Sequence, residues 1–186
     1  MIELIQEIVL SIVQGITEWL PISSSGHLAI FQNLFGFQNL AFDVFLHLVS
    51  IFAVIIIFWR DILKLLNINK QENLKYIGLI IIGIIPAGIV GFLFKHQIES
   101  FFSNLFYLGI FFMFSGIIIY LTKFSSVRKD KPGFFDSIFI GVFQAIAILP
   151  GVSRSGATIS SGLFRGVRKD EAVKFSFFMA IPVNLR

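Results

Sequence analysis

A short polar stretch near the start of the chain gathers residue types that catalyse nucleophilic reactions. Glu18 lies about four helical turns into an apolar segment, where an acidic side chain is costly to bury and is usually functional. Ser24 supplies a hydroxyl nucleophile, and His27 supplies an imidazole base three residues later. We therefore expect these three residues to be catalytic. Polar neighbours that would support them are Gln14, which shares a helix face with Glu18, Ser23 and Ser25.

A second polar stretch, residues 150–158, reads Pro-Gly-Val-Ser-Arg-Ser-Gly-Ala-Thr. A helix that begins after the Pro-Gly break would direct free backbone N–H groups at an anion. Arg154 lies in the middle of this stretch, and its planar guanidinium suits two phosphate oxygens at once. We therefore expect Arg154 to be catalytic. The groups expected to bind phosphate beside it are Ser153, Ser155, Gly156 and Thr158.

The composition of the chain indicates that these two polar stretches belong to a membrane protein. Of 186 residues, 56% are hydrophobic and only 14% are charged, whereas soluble domains carry about 25% charged residues. The chain has no Cys, which excludes a disulfide scaffold, a thiolate zinc site and a Cys nucleophile. The net charge of +4 comes from basic clusters between long apolar runs, so it indicates cytoplasmic loops and no nucleic-acid partner.

Three apolar stretches are long enough to cross a bilayer, at residues 42–59, 76–94 and 105–122. Basic residues follow the first and the third stretch, so both of those loops should be cytoplasmic. The N-terminus should then be external, and so should Gln38, whereas Asn69 should be internal. The sequence thus predicts an all-α integral membrane protein, a polytopic helix bundle. Its first basic loop holds Arg60, Lys64, Lys70 and Lys75, and its second holds Lys123, Arg128, Lys129 and Lys131.

Two further apolar segments are broken. Residues 2–20 run up to a break at Pro21, and residues 134–162 are interrupted at Pro150 and Gly151. The charge pattern requires each segment to return to the face from which it entered, the first from outside and the second from the cytoplasm. We therefore expect two re-entrant helical hairpins, because broken backbone at membrane depth needs protein or a water-filled cavity around it.

The two broken segments resemble each other at an offset of 130 residues, and they enter from opposite faces. This predicts an inverted-topology repeat within one transmembrane domain, residues 1–186, with repeat 1 at about 1–130 and repeat 2 from about 131. Two full copies would need about 260 residues, so we expect the second copy to be C-terminally incomplete, ending at 184–186 inside a span. The matching pairs are Gln14 with Gln144, Ser23 with Ser153, Ser25 with Ser155 and Gly26 with Gly156.

At these motifs the chain resembles the undecaprenyl-diphosphate phosphatase family, the BacA-type bacitracin-resistance proteins. The family's (E/Q)xxxE element reads Gln14 to Glu18 and continues through His27, and its PGxSRSxxT element reads Pro150 to Thr158. The resemblance covers the whole chain. It implies hydrolysis of undecaprenyl diphosphate to undecaprenyl phosphate and inorganic phosphate. That reaction recycles the lipid carrier for cell-wall (peptidoglycan) synthesis and gives bacitracin resistance.

The resemblance also implies a location and partners. The protein would be a multi-pass protein of the bacterial plasma membrane, with its active site open to the external or periplasmic side. Its partners would be an isoprenyl diphosphate substrate and membrane lipids, and a second copy in a homodimer is a further candidate. No organic cofactor is expected, but a divalent cation, Mg²⁺ or Ca²⁺, is associated with the activity of the family. Glu18 would either hold this cation or orient His27. The implied active-site set is Glu18, Ser24, His27, Ser153, Arg154 and Thr158.

The residues leave some alternatives open. We favour Ser24 as nucleophile with His27 as its base, but direct attack by His27 or by water fits the sequence equally well. Asp43 and His47 either line the cavity or pair with each other. A lipid-phosphate flippase or anion transporter would use the same phosphate site at the membrane midplane. A carrier has no use for a nucleophile beside a base, so the sequence favours the enzyme.

Overall fold

The computed structural model describes residues 2–36, 39–102 and 104–183, apart from the side chains of Leu40 and Glu99. Gln38 and residues 184–186 lie outside the described residues. The described part is helical, with one isolated backbone bridge between Lys129 and Val167. Its helices are α1 (Ile2–Thr17), α2 (Ser24–Phe35), α3 (Leu40–Leu65), α4 (Gln71–Leu93), α5 (Lys95–Phe102), α6 (Leu105–Leu121), α7 (Phe134–Ile146), α8 (Arg154–Phe164) and α9 (Lys169–Val183), with a 3₁₀ turn at Thr122–Phe124.

Three of these helices are long and apolar enough to cross a membrane. The spans predicted at 42–59, 76–94 and 105–122 are confirmed as long apolar helices. Helix α3 continues past the predicted end at Trp59 and takes up the charged residues Arg60, Asp61 and Lys64. At most 22% of each apolar window is buried inside the protein, as expected for helices that face lipid. Within the described residues these helices are Ala41–Leu65, Gln71–Leu93 and Leu105–Phe124.

The two broken segments fold as helical hairpins. In the first, α1 ends at Thr17 and α2 begins at Ser24, and the Gln6 side chain donates to the Phe35 carbonyl at 3.4 Å. In the second, Arg165 after α8 donates to the carboxylate of Asp136 at the start of α7, at 2.7 Å. The outer ends of each hairpin therefore lie together, and the Pro-containing breaks form the two tips.

The hairpins approach each other from opposite ends of α3. The first hairpin leads directly into the start of α3, where the Asn39 side chain caps the helix. At the other end of α3, Asp61 pairs with Lys174 of α9 at 3.3 Å, and α9 follows immediately after the second hairpin. The two tips meet between these ends, where the Ser155 hydroxyl donates to the Leu20 carbonyl at 3.0 Å.

Two glycines allow the tips to come this close. A Cβ on Gly26 would lie 2.6 Å from the Phe112 ring and 3.0 Å from the Cα of Gly151. Gly151 has a φ of +93°, and a Cβ there would lie 2.8 Å from the Leu108 carbonyl oxygen. Any larger residue at either position would therefore force the two hairpin tips, or α6 behind them, apart.

A buried carboxylate closes the outer end of the second hairpin. Asp136 accepts from the Gly133 N–H at 2.8 Å, from the Lys129 ammonium at 2.6 Å and from Arg165 at 2.7 Å. Burial raises the pKa of Asp136, but these donors outweigh burial and hold its pKa below the usual range. Helix α7 of this hairpin packs against α4 and α9 in an apolar core. The core is formed by Ile80, Ile140, Phe175, Phe178 and Met179.

Candidate active site

A cavity of about 330 Å³ lies where the two hairpin tips meet. The first hairpin contributes Glu18 and the three serines that follow Pro21, and the second contributes Ser153 and Arg154. The cavity therefore brings together the two sequence motifs. Glu18 and Arg154, which form an ion pair across it, are 136 residues apart in the sequence. Its polar lining residues are Glu18, Ser23, Ser24, Ser25, His47, Gln144, Ser153 and Arg154.

Glu18 is the centre of this site. It lies just beyond the end of α1, and only 6% of it is exposed. Its Oε1 accepts from Arg154 Nη2 at 2.6 Å, and its Oε2 accepts from Ser24 Oγ at 2.5 Å and from Gln14 Nε2 at 3.0 Å. A buried ion pair of this kind joins the two hairpins, and removal of either charge would leave the other uncompensated.

Arg154 is held so that one edge of its guanidinium is available to a ligand. It is the first residue of α8, it stacks with its Cζ 5.6 Å from the Trp19 ring centre, and its Nη2 binds Glu18. The second terminal nitrogen, Nη1, is buried and has no hydrogen-bond partner among the described groups. A buried donor without a partner is costly, so this nitrogen is suited to an incoming oxygen anion.

The second tip repeats the capping geometry of the first. Ser153 Oγ accepts from the Gly156 N–H at 3.0 Å, as Ser23 Oγ accepts from the Gly26 N–H at 3.3 Å. Each capping serine also shares a hydrogen bond with the serine two residues later, at 3.4 Å for Ser25 and 3.2 Å for Ser155. The serines and glycines paired by the sequence alignment thus make matching hydrogen bonds within their tips. Ser153 lines the cavity, whereas Ser155 and Gly156 hold the tip.

Thr158 lies away from the cavity. Its hydroxyl donates to the Arg154 carbonyl at 2.8 Å and shares a hydrogen bond with Ser176 of α9 at 2.6 Å, and only 1% of the residue is exposed. The position expected to contact phosphate is therefore occupied by a residue that packs α8 against α9. Thr158 lies one helical turn after Arg154, and at that point α8 already packs against α9.

His27 lies apart from the predicted nucleophile. Its Nδ1 donates to the Ser23 carbonyl at 2.7 Å, because a carbonyl can only accept, and its ring packs edge-on against Phe112. It lines a second cavity of about 580 Å³ beside α6. The Ser24 hydroxyl donates to Glu18 instead, so the structure pairs the predicted nucleophile with a carboxylate, not with the predicted imidazole.

His47 is the imidazole that lines the active-site cavity. Its Nδ1 donates to the Asp43 carbonyl at 2.8 Å, which turns Nε2 towards Glu18 Oε2, 3.9 Å away. The Asp43 carboxylate accepts from Gln32 at 2.7 Å. His47 therefore lines the cavity, and its side chain does not pair with the Asp43 carboxylate.

Two further site residues were not singled out by chemistry. Gln144 lines the cavity, and its match to Gln14 in the repeat was the only signal for it. Ser50 of α3 lies 3.5 Å from Gln14 Nε2, and nothing in the sequence marked it. Gln144 lies on α7 and Ser50 on α3. Both helices reach the first hairpin only through the tertiary fold, which local sequence patterns do not show.

The protein groups alone form a poor site for a hard cation, which needs several oxygen ligands. The described residues contain no cluster of three or more His, Cys, Asp or Glu side chains suited to a metal ion. Both oxygens of Glu18 already accept hydrogen bonds, and the Arg154 guanidinium beside them repels a cation. Glu18 is therefore better placed as a partner for Arg154 and Ser24 than as the core of a metal site.

Comparison with known proteins agrees with this geometry. The family profile described as "Bacitracin resistance protein BacA" matches residues 7–186. A protein of Desulforapulum autotrophicum named "Undecaprenyl-diphosphatase" is 38% identical, over 97% of this chain and 74% of its own length. Proteins of the same name from Methanococcus maripaludis and Halothermothrix orenii are 42% and 40% identical, over 96% and 97% of this chain and 75% and 71% of theirs. The chain belongs to the bacitracin resistance protein BacA family.

Proposed function

We propose that this chain hydrolyses undecaprenyl diphosphate to undecaprenyl phosphate and inorganic phosphate. The observation that carries the proposal is the buried Glu18, which binds Arg154 and Ser24 at once where the hairpin tips meet. The relatives named undecaprenyl-diphosphatase support the same substrate. The product is the lipid carrier for cell-wall synthesis, and consumption of the diphosphate gives bacitracin resistance.

Substrate binding is assigned to the second hairpin. Ser153 and Arg154 line the cavity, and Arg154 Nη1 has no partner among the described groups, so both residues would bind oxygens of the terminal phosphate. Phosphoryl transfer requires little covalent chemistry from the protein, so positioning and neutralisation of charge dominate its rate. A guanidinium that is already oriented by Glu18 and Trp19 needs no reorganisation when charge develops on the phosphate.

The first hairpin supplies the nucleophile and its base. Ser24 Oγ attacks the terminal phosphorus and passes its proton to Glu18, which already accepts that hydrogen bond at 2.5 Å. The new O–P bond replaces the bond to the bridging oxygen, and undecaprenyl phosphate leaves. Glu18 passes its proton to the leaving phosphate oxygen and then takes a proton from water, whose oxygen attacks the phosphoserine. The bond between Ser24 Oγ and phosphorus breaks, Ser24 recovers a proton from Glu18, and phosphate is released. In the alternative, Glu18 activates water directly and Ser24 only orients Glu18.

A divalent cation fits this reaction as part of the substrate. Mg²⁺ is commonly held by substrate phosphates together with water and few protein ligands. Mg²⁺ or Ca²⁺ would thus enter on the diphosphate oxygens and reduce the charge that Arg154 must neutralise. Chelation of divalent cations should then raise KM, and excess Mg²⁺ should restore it.

The proposed membrane arrangement is an inverted repeat of two re-entrant hairpins in a multi-pass plasma-membrane protein. It is supported by the approach of the hairpins from opposite ends of α3, by the matching caps at Ser23 and Ser153, and by the apolar helices that surround the tips. The basic residues at the outer end of the second hairpin favour a cytoplasmic position for that end. The first hairpin, with the site at its tip, then opens to the external side.

Phosphate release by the purified protein in detergent tests the function, because detergent abolishes the two sides that a transporter needs. Ser24→Ala should lower kcat at least about a hundredfold, since it removes the group paired with Glu18. Ser11→Ala, at an exposed position of α1, is the matched control and should leave kcat unchanged. Substrate movement across vesicles without phosphate release by the wild type would favour the transporter. A small loss in Ser24→Ala would favour direct attack by water.

A further inference from the structure

Gln144 is a buried amide without a protein partner in the active-site cavity. It lies in the last turn of α7, is 2% exposed, and lines the cavity with Glu18 and Arg154. Neither its Nε2 nor its Oε1 has a hydrogen-bond partner among the described groups. Since a free donor remains whichever way the amide is turned, Gln144 presents an N–H to the cavity.

Such an amide has no evident structural purpose. A buried polar group without a hydrogen bond destabilises the fold, and an apolar side chain of similar shape would remove that cost. Neighbouring cavity positions are in fact apolar, at Ala147, Ile148 and Val152. A glutamine among them is therefore better explained by a ligand than by packing.

Comparison of the two hairpins shows what distinguishes this amide. Gln14, its counterpart in the first hairpin, donates to Glu18 four residues later at 3.0 Å. The residue four positions after Gln144 is Ile148, which cannot accept a hydrogen bond. The second hairpin thus keeps the glutamine and lacks the carboxylate that would occupy it, so its amide N–H is left for another acceptor.

We propose that Gln144 is a substrate-binding residue that donates its amide N–H to an oxygen of the diphosphate. The inference rests on the proposed function, because the diphosphate is the anion that this cavity receives. Arg154, whose Nη1 is also a buried donor without a partner among the described groups, lines the same cavity. The two donors bind oxygens of one diphosphate from the second hairpin, while Glu18 and Ser24 act from the first.

Gln144→Leu separates binding from packing, because Leu keeps a similar size and removes the amide. We expect KM for undecaprenyl diphosphate to rise about ten- to a hundredfold, which is the value of a hydrogen bond to a charged group. We also expect the thermal unfolding temperature in detergent to stay level or to rise, because the unpartnered amide is gone. Gln97→Leu, at an exposed position of α5, is the matched control and should leave KM unchanged.

The outcomes separate this proposal from the proposed function. If the wild type releases no phosphate, the proposed function fails. If the wild type is active and Gln144→Leu keeps its KM, the assignment of Gln144 is wrong. A lower unfolding temperature in Gln144→Leu would identify Gln144 as structural. Gln144→Asn keeps the amide on a shorter side chain, and it should raise KM less than Gln144→Leu; an equal increase in both variants would overturn the proposal.

Discussion

Replacement of Arg154 by Lys tests whether the site needs a guanidinium or only a positive charge. Lys can keep the ion pair with Glu18, which Arg154 makes through Nη2 at 2.6 Å. It cannot at the same time supply the second terminal nitrogen, Nη1, which is buried without a partner and is the atom assigned to phosphate. The stacking of the planar group on Trp19 is also lost.

The expected loss follows from those contacts. A charge-assisted hydrogen bond is worth about 1.5 to 3 kcal/mol, and the stacked guanidinium adds about 1 kcal/mol. Because the lost donor is aimed at developing charge, these losses weaken binding of the transition state. Their total of about 2.5 to 4 kcal/mol predicts a decrease in kcat/KM of two to three orders of magnitude. Phosphate release from undecaprenyl diphosphate in detergent measures it directly.

The control is Arg168→Lys, in an exposed ion pair with Asp130 and Asp170 outside the membrane helices. That variant should keep kcat/KM within about twofold, because exposed ion pairs contribute little. Both variants keep their charge, so both should unfold at temperatures close to that of the wild type. Equal kcat/KM values for the two variants would refute the assignment of Arg154 to phosphate.

Three further predictions concern the fold and the topology. Gly151→Ala combines a φ of +93° with a Cβ 2.8 Å from a carbonyl oxygen, so thermal unfolding should show a loss of about 3 kcal/mol or more. Gly36→Ala, with a φ of +62° and open space around it, should lose only about 1 kcal/mol, and equal shifts would contradict this reasoning. The lowered pKa of Asp136 stabilises the fold above its unfolded pKa of about 3.9, and this contribution is lost as pH falls through its folded pKa. The unfolding temperature of the wild type should therefore exceed that of Asp136→Asn at pH 7, with a gap that narrows below about pH 4; a constant gap would contradict this. In intact cells an impermeant thiol reagent should label a single Cys at Asn33 but not one at Asn69, and the reverse pattern would overturn the topology.

The long helices and the two breaks could be predicted because their signals are local. Apolar runs, clustered basic residues and Pro-Gly breaks all act within one helix length. The predicted end of the apolar stretch 42–59, at Trp59, lies before the end of α3, because an apolar run stops at the first charge, Arg60, whereas the helix does not. In the structure the helix continues through Asp61, which pairs with Lys174 of α9, and no local pattern predicts that contact.

The residues that form the site are more predictable from the sequence than the contacts between their side chains. Glu18 and Arg154 were found separately, since each is a charge within an apolar segment, but their ion pair depends on the meeting of two tips. Ser24 and His27 were paired because they are three residues apart. The backbone at Ser23, with a φ of +66°, begins α2 so that Ser24 binds Glu18 while His27 lies against Phe112. Spacing along a helix cannot reveal which neighbouring element each side chain meets.

The ion pair between Glu18 and Arg154 also has a consequence for biosynthesis. The two residues are 136 positions apart, and at ordinary translation rates Arg154 is made roughly 7 to 27 seconds after Glu18. During that interval Glu18 has Gln14 and Ser24 of its own hairpin as donors but lacks this cation, and a buried carboxylate without a cation is costly in hydrocarbon. We therefore expect the first hairpin to reach its final depth only when the second arrives. Both hairpin tips should then be completed together, late in synthesis, and the hydrolytic site should form only at that point.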